Sequence, residues 1–447
     1  MYNIDKDVLD IIEQNLTPKK TEKNLFGEVF TPVKLVCEML EQLPIEVWTN
    51  PNLKWLDPAN GIGNFPIVIY FKLMTTLPID EKIRSKHIIE NMLYMNEINP
   101  VNIEMCKKIF NMIDANATPN VNKGDFLNTQ LFSSIKFDII IGNPPYQEVT
   151  TEGISKHGSG KIYPNFIQYS LQLLVDDGYL LFITPNTWFT GVSKTGQILN
   201  LFKKYNLLKI NCSNISRYFP KVGTGTLVYF LLQKNNKYNA TELLQSNKYI
   251  LNIKDKEFLP NILNRFSISI LDKTLFSKQY SKFKFIKDSG PFHIKYGLKD
   301  LKTLTTRSDD IDRVKKVKDD IHLCPIFHTN KQTLYSSIEN CFQKHKKILI
   351  SQSSKFEPFY DNGQLGFTQN VVAILVNSKK EADHIIKILH SKLYTFLLDC
   401  IRYSKNITIH YLNFFPCPTD LNENFTDEDL YTLFDLTKEE IEYLINR

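Results

Sequence analysis

From Leu53 to about Lys234, short apolar runs alternate with stretches in which apolar residues recur every three or four positions. The runs are Lys54-Trp55-Leu56, Leu93-Tyr94-Met95, Phe137 to Ile141, Tyr179 to Thr184, Leu207 to Asn211 and Thr226 to Leu232. Between them, Pro66 to Leu77, Asn102 to Ile113 and Asn165 to Leu174 carry the helical period. Short β-rich runs read as strands and the 3.6-residue period as helices, so the alternation predicts an α/β domain built on a doubly wound, mainly parallel sheet. Ligands of such sheets gather outside the carboxyl ends of the strands, which makes the residues just after each run the place to look for chemistry.

Beyond Asn235-Asn236-Lys237 the rhythm is lost and Lys, Asn, Ser and Tyr rise, which predicts a boundary there: a first domain over 1–235 and a separate mixed α+β domain over 236–447. Charge follows the same division. Residues 1–240 hold 24 Lys+Arg against 22 Asp+Glu, 241–418 hold 28 against 17, and 419–447 hold 2 against 9. A basic bias spread over a whole domain favours an anionic ligand. The 7 cysteines are scattered, with no CxxC and no histidines clustered around them, which predicts free thiols in a reducing, cytoplasmic setting and no metal site. No run approaches the length of a membrane span and the amino terminus lacks a leader pattern, so no membrane partner is expected.

The strand ends carry distinctive residues. After the first run comes Asp57-Pro58-Ala59-Asn60-Gly61-Ile62-Gly63-Asn64-Phe65, a glycine turn into a helix, where Gly61 and Gly63 let backbone approach a ligand closely. Taken alone this loop is equally a plain turn. Glu97 follows the second run, where doubly wound enzymes grip a ribose, and Asp125-Phe126 follows a third strand end, where a carboxylate and an aromatic face could receive a purine. The fourth strand runs into Asn143-Pro144-Pro145-Tyr146, whose two prolines fix φ and remove two donors, giving a rigid corner. Upstream, Thr31-Pro32 reads as the start of a helix over Val33 to Gln42, whose unpaired N–H groups favour an anion.

In order and content this set resembles the N6-adenine DNA methyltransferases of restriction-modification type, with the cofactor motifs first, the catalytic motif next and a target-recognition region last. Phe30-Thr31-Pro32 resembles the upstream cofactor motif and the Asp57 to Phe65 loop the first motif. Glu97 resembles the second, Asp125-Phe126 the third, and NPPY at 143–146 is the form associated with adenine. Asn60 and Ile62 depart from the commoner Cys or Ser and Thr of that loop. The resemblance implies a Rossmann-like class I methyltransferase sheet and S-adenosylmethionine as cofactor. Its site is implied to comprise Phe30, Thr31, Pro32, Asp57, Pro58, Ala59, Gly61, Gly63, Glu97, Asp125, Phe126 and Asn143.

It further implies a double-stranded DNA partner whose target base is flipped into the site. Asn143 and Pro144 then accept the adenine amino hydrogens, with Pro145 stiffening the turn and Tyr146 covering one face of the base. Within Arg217-Tyr218-Phe219-Pro220-Lys221, Phe219 is the candidate for the opposite face, with core packing as its rival. The loop Glu148 to Lys161 reads as a flap, with Lys156, His157 and Lys161 as candidate phosphate contacts. Cys417 reads as a packed thiol rather than a nucleophile. The alternatives are an NPPY-type protein glutamine methyltransferase and the methylase part of a combined restriction-modification enzyme. A stand-alone modification enzyme is expected over a fused nuclease, since only a short segment precedes the first motif; a monomer is favoured, and a separately encoded cognate restriction endonuclease is a candidate partner.

Overall fold

The computed structural model describes residues 4–14, 30–128, 132, 134–147, 160–191, 196–211, 213, 215–219, 226–237, 240–245, 249–287, 314–315, 317–330, 332–352, 355–368, 370–403 and 407–447. The chain divides into two compact units, Met1–Leu259 and Pro260–Arg447.

The first unit is built on nine strands: β1 Trp55–Asp57, β2 Leu93–Glu97, β3 Asn120–Lys123, β4 Phe137–Gly142, β5 Leu174–Pro185, β6 Asn206–Asn211, β7 Leu227–Gln233, β8 Thr241–Leu244 and β9 Tyr249–Leu251. They lie side by side as β3-β2-β1-β4-β5-β7-β6-β8-β9. Strands β1 to β5 run parallel, whereas β7 is antiparallel to both β5 and β6. Every predicted run is a strand. Their fully apolar texture fits burial of both faces: the burial pattern of β7 is closed at six of seven positions. Strand order reverses between β1 and β4, which opens a crevice at their carboxyl ends.

Among the described residues, seven helices accompany this sheet: α1 Lys6–Gln14, α2 Val33–Leu40, α3 Asn64–Thr76, α4 Glu81–His87, α5 Pro100–Ile113, α6 Tyr163–Leu173 and α7 Gln197–Phe202. Helix α5 has Asn99 as its cap, accepting from the Val101 amide at 3.0 Å, and proline at its first position, where the missing donor costs nothing. Val36, Leu40, Ile67, Ile69, Ile109 and Phe110 pack with Ile139 and Ile141 of β4 in one core.

The boundary differs from the expected one. Asn235-Asn236-Lys237 is a turn tied back to the sheet by Asn235 Nδ2 donating to Asp177 Oδ1 at 2.7 Å. Strand β8 then pairs in parallel with β6, and the buried Thr241 hydroxyl donates to the Leu207 carbonyl at 2.8 Å. The free edge of β6 is thereby covered, so residues 241–251 belong to the first unit and the division falls at Leu259.

The second unit mixes helices with small sheets. Its strands are β10 Val314–Lys315, β11 Cys324–Thr329, β12 Gln332–Ser336, β13 Lys346–Ser351, β14 Phe359–Asn362, β15 Gly366–Phe367 and β16 Val371–Leu375, arranged as β10-β12-β11-β15 and β14-β13-β16. Helix α8, Arg265–Lys273, precedes them; α9 Lys379–His390, α10 Lys392–Ile401, α11 Ile409–Leu412, α12 Asp427–Leu433 and α13 Lys438–Ile445 follow. Lys347 on β13 is fully buried, yet its ammonium reaches Asp361 Oδ2 on β14 at 2.5 Å and the carbonyls of Gln343 and His345 at 3.0 Å. A charge buried with three acceptors survives desolvation that a lone lysine would not.

Gly191 ends the 3-10 turn Asn186–Thr190 at φ +70°, and a Cβ there would stand 2.0 Å from the Glu257 carbonyl oxygen. We expect Gly191→Ala to destabilise the first unit by about 2 kcal/mol or more, from backbone strain and overpacking together. Urea unfolding measures this; a change within about 0.5 kcal/mol, the range of ordinary surface substitutions, would contradict the contact.

Candidate active site

The crevice holds a cavity of about 240 Å³ between the ends of β1, β2, β3 and β4. Its floor is the loop after β1. Gly61 adopts φ +58° and Gly63 φ +103°, conformations that side chains resist, and Gly63 caps the start of α3. A Cβ on Gly61 would come within 2.9 Å of the Phe30 ring, so this glycine also lets Phe30 lie against the loop.

Glu97, at the end of β2, locks that loop in place. Its Oε2 accepts from the Gly61 amide at 2.7 Å, and its Oε1 accepts from the amides of Ile98 and Asn99, both at 2.8 Å. Asn96, one residue earlier, donates from Nδ2 to the Pro58 carbonyl at 3.4 Å and to the Gly124 carbonyl at 3.0 Å, while its own carbonyl accepts from the Asn60 amide at 3.0 Å. One strand end therefore fastens the turns after β1 and β3. Asp125 holds its own turn, accepting from the Leu127 amide at 3.0 Å and from Asn128 Nδ2 at 2.7 Å. Phe126 stacks on Phe166 of α6, with centroids 5.2 Å apart and planes at 27°.

The fourth side is the corner after β4. Asn143, Pro144, Pro145 and Tyr146 all line the cavity. The Tyr146 hydroxyl donates to Asn143 Oδ1 at 2.6 Å, and Asn143 Nδ2 donates to Thr31 Oγ1 at 3.3 Å. Gly142 must be glycine for this corner to sit against β1, because a Cβ would fall 2.7 Å from Asp57 Oδ1. Burial pushes the Tyr146 phenol upward, so it stays protonated and remains a donor.

Most of the residues singled out from the sequence meet here: Phe30, Thr31, Pro58, Ala59, Gly61, Glu97, Asp125, Phe126, Asn143, Pro144, Pro145 and Tyr146. Four do not line the cavity. Asp57 lies beneath it, 3% exposed, with Oδ1 accepting from the Ala59 amide at 3.1 Å. Gly63 shapes the loop from behind, where a Cβ would meet the Cys106 thiol at 3.1 Å. Phe219 is 5% exposed and packs in the main core. Pro32, not Thr31, stands at the cap of α2, with an extended backbone and no side-chain cap bond, because the Thr31 hydroxyl is turned to Asn143. The Glu148 to Ser159 part of the expected flap, with Lys156 and His157, and Pro220-Lys221 lie outside the described residues. Lys161 pairs with Gln147 in an isolated bridge. Cys417, in the second unit, has its thiol pushed up by burial, which disfavours a reactive thiolate.

Several site residues escaped the sequence reading. Asn64, on the first turn of α3, donates to the Thr31 carbonyl at 2.8 Å, and Asn60 donates to the Cys106 sulfur at 3.3 Å. With Asn96 they form an asparagine layer under the cavity, whose signal in the sequence is three asparagines at two neighbouring strand ends. Their free oxygens are unusual: Asn60 Oδ1, Asn64 Oδ1, Asn96 Oδ1 and Asp57 Oδ2 are buried without a hydrogen-bond donor. Asp57 Oδ2 carries the proton of a neutral carboxyl, and the three asparagine acceptors around one glycine loop suit a ligand that brings N–H or O–H donors or positive charge. A bound amino acid ammonium and ribose hydroxyls have that chemistry, so the residues present fit S-adenosylmethionine.

Residues 47–219 match the family profile described as "Eco57I restriction-modification methylase". An "uncharacterized adenine-specific methylase" of Mycoplasma pneumoniae is 28% identical over 327 residues, covering 55% of this chain and 76% of that protein. The type II methyltransferase M.VspI of Vibrio sp. is 24% identical over 192 residues, covering 41% of this chain and 42% of that protein. Among solved structures, a DrdV–DNA complex superposes with TM-score 0.53 at 11% identity, over 91% of this chain and 58% of that one. A nuclease-deletion mutant of the type ISP restriction-modification enzyme LlaGI, bound to a DNA substrate mimic, gives 0.52 at 14% identity, over 92% and 55%. The chain thus spans little more than half the length of those two enzymes.

Burial drives a proton onto Asp57: desolvation pushes its carboxyl up to about 8, the Ala59 amide bond opposes this in part, and the nearby Glu97 charge adds a smaller upward push. An acid whose pKa rises on folding gives its full stability below the unfolded value, and loses it as pH climbs through the folded one. Replacing Asp57 with Asn should therefore gain stability relative to wild type as pH rises from about 4 to about 8, the window between those values. Urea midpoints of both proteins at several pH values test this, and a gap independent of pH would refute the buried neutral carboxyl.

The first unit carries the doubly wound sheet expected of a class I methyltransferase, and residues 47–219 match the Eco57I restriction-modification methylase family.

Proposed function

We propose that this chain is a DNA adenine methyltransferase of restriction-modification type, transferring a methyl group from S-adenosylmethionine to the N6 nitrogen of a flipped adenine in double-stranded DNA. The observation that carries the reading is the juxtaposition of the Asn143–Tyr146 corner with the glycine loop and Glu97 around one cavity.

S-adenosylmethionine, when bound, supplies a methyl carbon made electrophilic by the adjacent sulfonium. The glycine loop, Glu97, Asp125 and Phe126 would hold it: the orphaned oxygens of Asn60, Asn64 and Asn96 favour its ammonium and hydroxyls, and the Phe126 and Ile98 side chains offer apolar faces to its adenine. The unpaired amides that open α2 favour its carboxylate, whichever residue caps the helix.

The exocyclic nitrogen of adenine is a weak nucleophile because its lone pair is spread into the ring. Asn143 Oδ1 and the Pro144 main-chain carbonyl accept its two N–H bonds, which draws the nitrogen toward tetrahedral geometry and frees the lone pair. That interaction strengthens as the bond forms, as transition-state stabilisation requires. The prolines hold both acceptors on a rigid turn, and alignment of the reacting atoms supplies the remainder, a term that reaches roughly 7–11 kcal/mol in favourable cases. Tyr146 covers one face of the base. Phe219, packed in the core, is not assigned the other.

The second unit is the proposed target-recognition domain: the basic block at 241–418 lies largely within it and suits phosphate contacts that are independent of sequence. The protein would act in the cytoplasm as a monomer beside a cognate endonuclease.

Removing the side-chain acceptor should separate chemistry from binding. Asn143→Ala is expected to lower labelled methyl transfer to DNA by at least about 100-fold, the scale of losing one preorganised acceptor, while calorimetric affinity for S-adenosylmethionine stays within about twofold. Equal loss of both would contradict the role given to Asn143.

A further inference from the structure

The acceptor on which methyl transfer depends is already occupied in the free protein. Asn143 Oδ1 takes the Tyr146 hydroxyl at 2.6 Å, while Asn143 Nδ2 reaches Thr31 Oγ1 at 3.3 Å. The contact to Tyr146 has the length of a strong O–H···O=C bond and the contact to Thr31 is a long N–H···O one, so the oxygen end of the carboxamide faces Tyr146 and the nitrogen end faces Thr31. A third partner pins Thr31 itself: its carbonyl accepts from Asn64 Nδ2 at 2.8 Å, and the residue is 3% exposed. The Tyr146 backbone carbonyl accepts from the Ile162 amide at 3.1 Å, and the half-buried ring packs against the edge of the main core where it borders the cavity, so its hydroxyl can be released without moving the ring.

The fixed hydroxyl and the releasable one have different consequences. A carboxamide turned by 180° about its last bond would present two N–H donors where the amino group of adenine also presents donors, and no productive bond would form. Thr31 opposes that turn for as long as its hydroxyl accepts from the nitrogen end. The tyrosine hydroxyl keeps the oxygen end from being a buried acceptor without a donor, and it supplies the same kind of contact that an incoming N–H would make.

We propose, resting on the adenine reading above, that Thr31 is a positioning residue that keeps the Asn143 oxygen turned toward the base, and that the Tyr146 hydroxyl is a placeholder displaced from that oxygen by the adenine amino group. Thr31 then acts on kcat through Asn143. The Tyr146 hydroxyl acts on binding alone, because it is exchanged before the chemical step and its loss favours the substrate complex and the transition state equally.

Steady-state methylation of a mixed-sequence duplex DNA by the full chain tests both parts. Thr31→Val, which keeps shape and removes the hydroxyl, should lower kcat about tenfold with KM for DNA nearly constant, and Thr31→Ser should restore it to within about twofold. Tyr146→Phe should lower KM for DNA by roughly three- to tenfold, the weight of one net hydrogen bond, at unchanged kcat; Tyr146→Ala, which also loses the ring, should raise KM. Affinity for S-adenosylmethionine by calorimetry should stay within about twofold in all four. A Thr31→Val loss that serine does not restore, or a Tyr146→Phe variant with lower kcat or unaltered KM, would overturn the proposal.

Wild-type protein that methylates no DNA would instead sink the adenine reading. The clamp is then read without substrate, from the side-chain amide 15N–1H resonances of Asn143, identified by their loss in Asn143→Ala. They should shift in both Thr31→Val and Tyr146→Phe, and resonances unmoved in either variant would overturn the clamp.

Discussion

The site depends on one carboxylate binding backbone amides across two strand ends. Glu97 takes an N–H from Gly61 with one oxygen and from Ile98 and Asn99 with the other. Charge-assisted bonds to backbone donors are about twice as strong as neutral ones, and here they join the turn after β1 to the turn after β2. Without that tie, a loop containing two glycines at positive φ would sample many shapes, because glycine loses more freedom on ordering than any other residue. The sequence reading took Glu97 for a ribose ligand. Its three backbone bonds give it a structural duty as well.

Around this tie the protein accumulates acceptors rather than donors. Each of Asn60, Asn64 and Asn96 spends its NH2 on a carbonyl or a thiol of a neighbouring turn and leaves its oxygen bare. An unsatisfied buried acceptor costs about 1–3 kcal/mol, so a cluster of them is costly in the free protein. The same arrangement stiffens the turns and stores affinity for a donor-rich, cationic ligand. Asp57 shows how the cost is contained: it remains protonated near neutrality, which avoids burying a second negative charge beside Glu97. The departure of Asn60 from the commoner Cys or Ser is explained in the same terms, because its amide bridges Gly61 and the Cys106 thiol and ties α5 to the loop.

The sequence revealed the central sheet because its strands are largely buried on both faces and read as mostly apolar runs. Strand β3 carries only Val121 among Asn120, Asn122 and Lys123, since it forms the sheet's outer edge, and its presence could be inferred only from the Gly124-Asp125 turn behind it. Strands β8 and β9 were missed for a related reason: four- and three-residue elements at the other edge follow a turn rich in Asn and Lys that resembles a linker. The Asn143–Tyr146 corner was legible because Asn-Pro-Pro-Tyr restricts the backbone locally. The asparagine layer was not, because asparagine at a strand end usually signals a turn and nothing more.

Thr31 and Phe219 mark the limit of local reasoning more sharply. Ser or Thr before proline is the usual signature of a helix start, and α2 does begin there, but the hydroxyl is claimed by a residue 112 positions away, and the cap passes to Pro32, which has no side-chain donor or acceptor to offer. A helix of eight residues, six of them buried, can forgo a capping bond because its stability comes from packing against the core. Phe219 fails in the opposite direction: an aromatic before a strand can reach a cavity or fold back into the core with equal ease, and Ile215 and Leu227 provide apolar company on the core side. Local sequence therefore identifies the residues whose backbone is constrained, while those whose role is fixed by a distant partner emerge only when the strands are placed side by side.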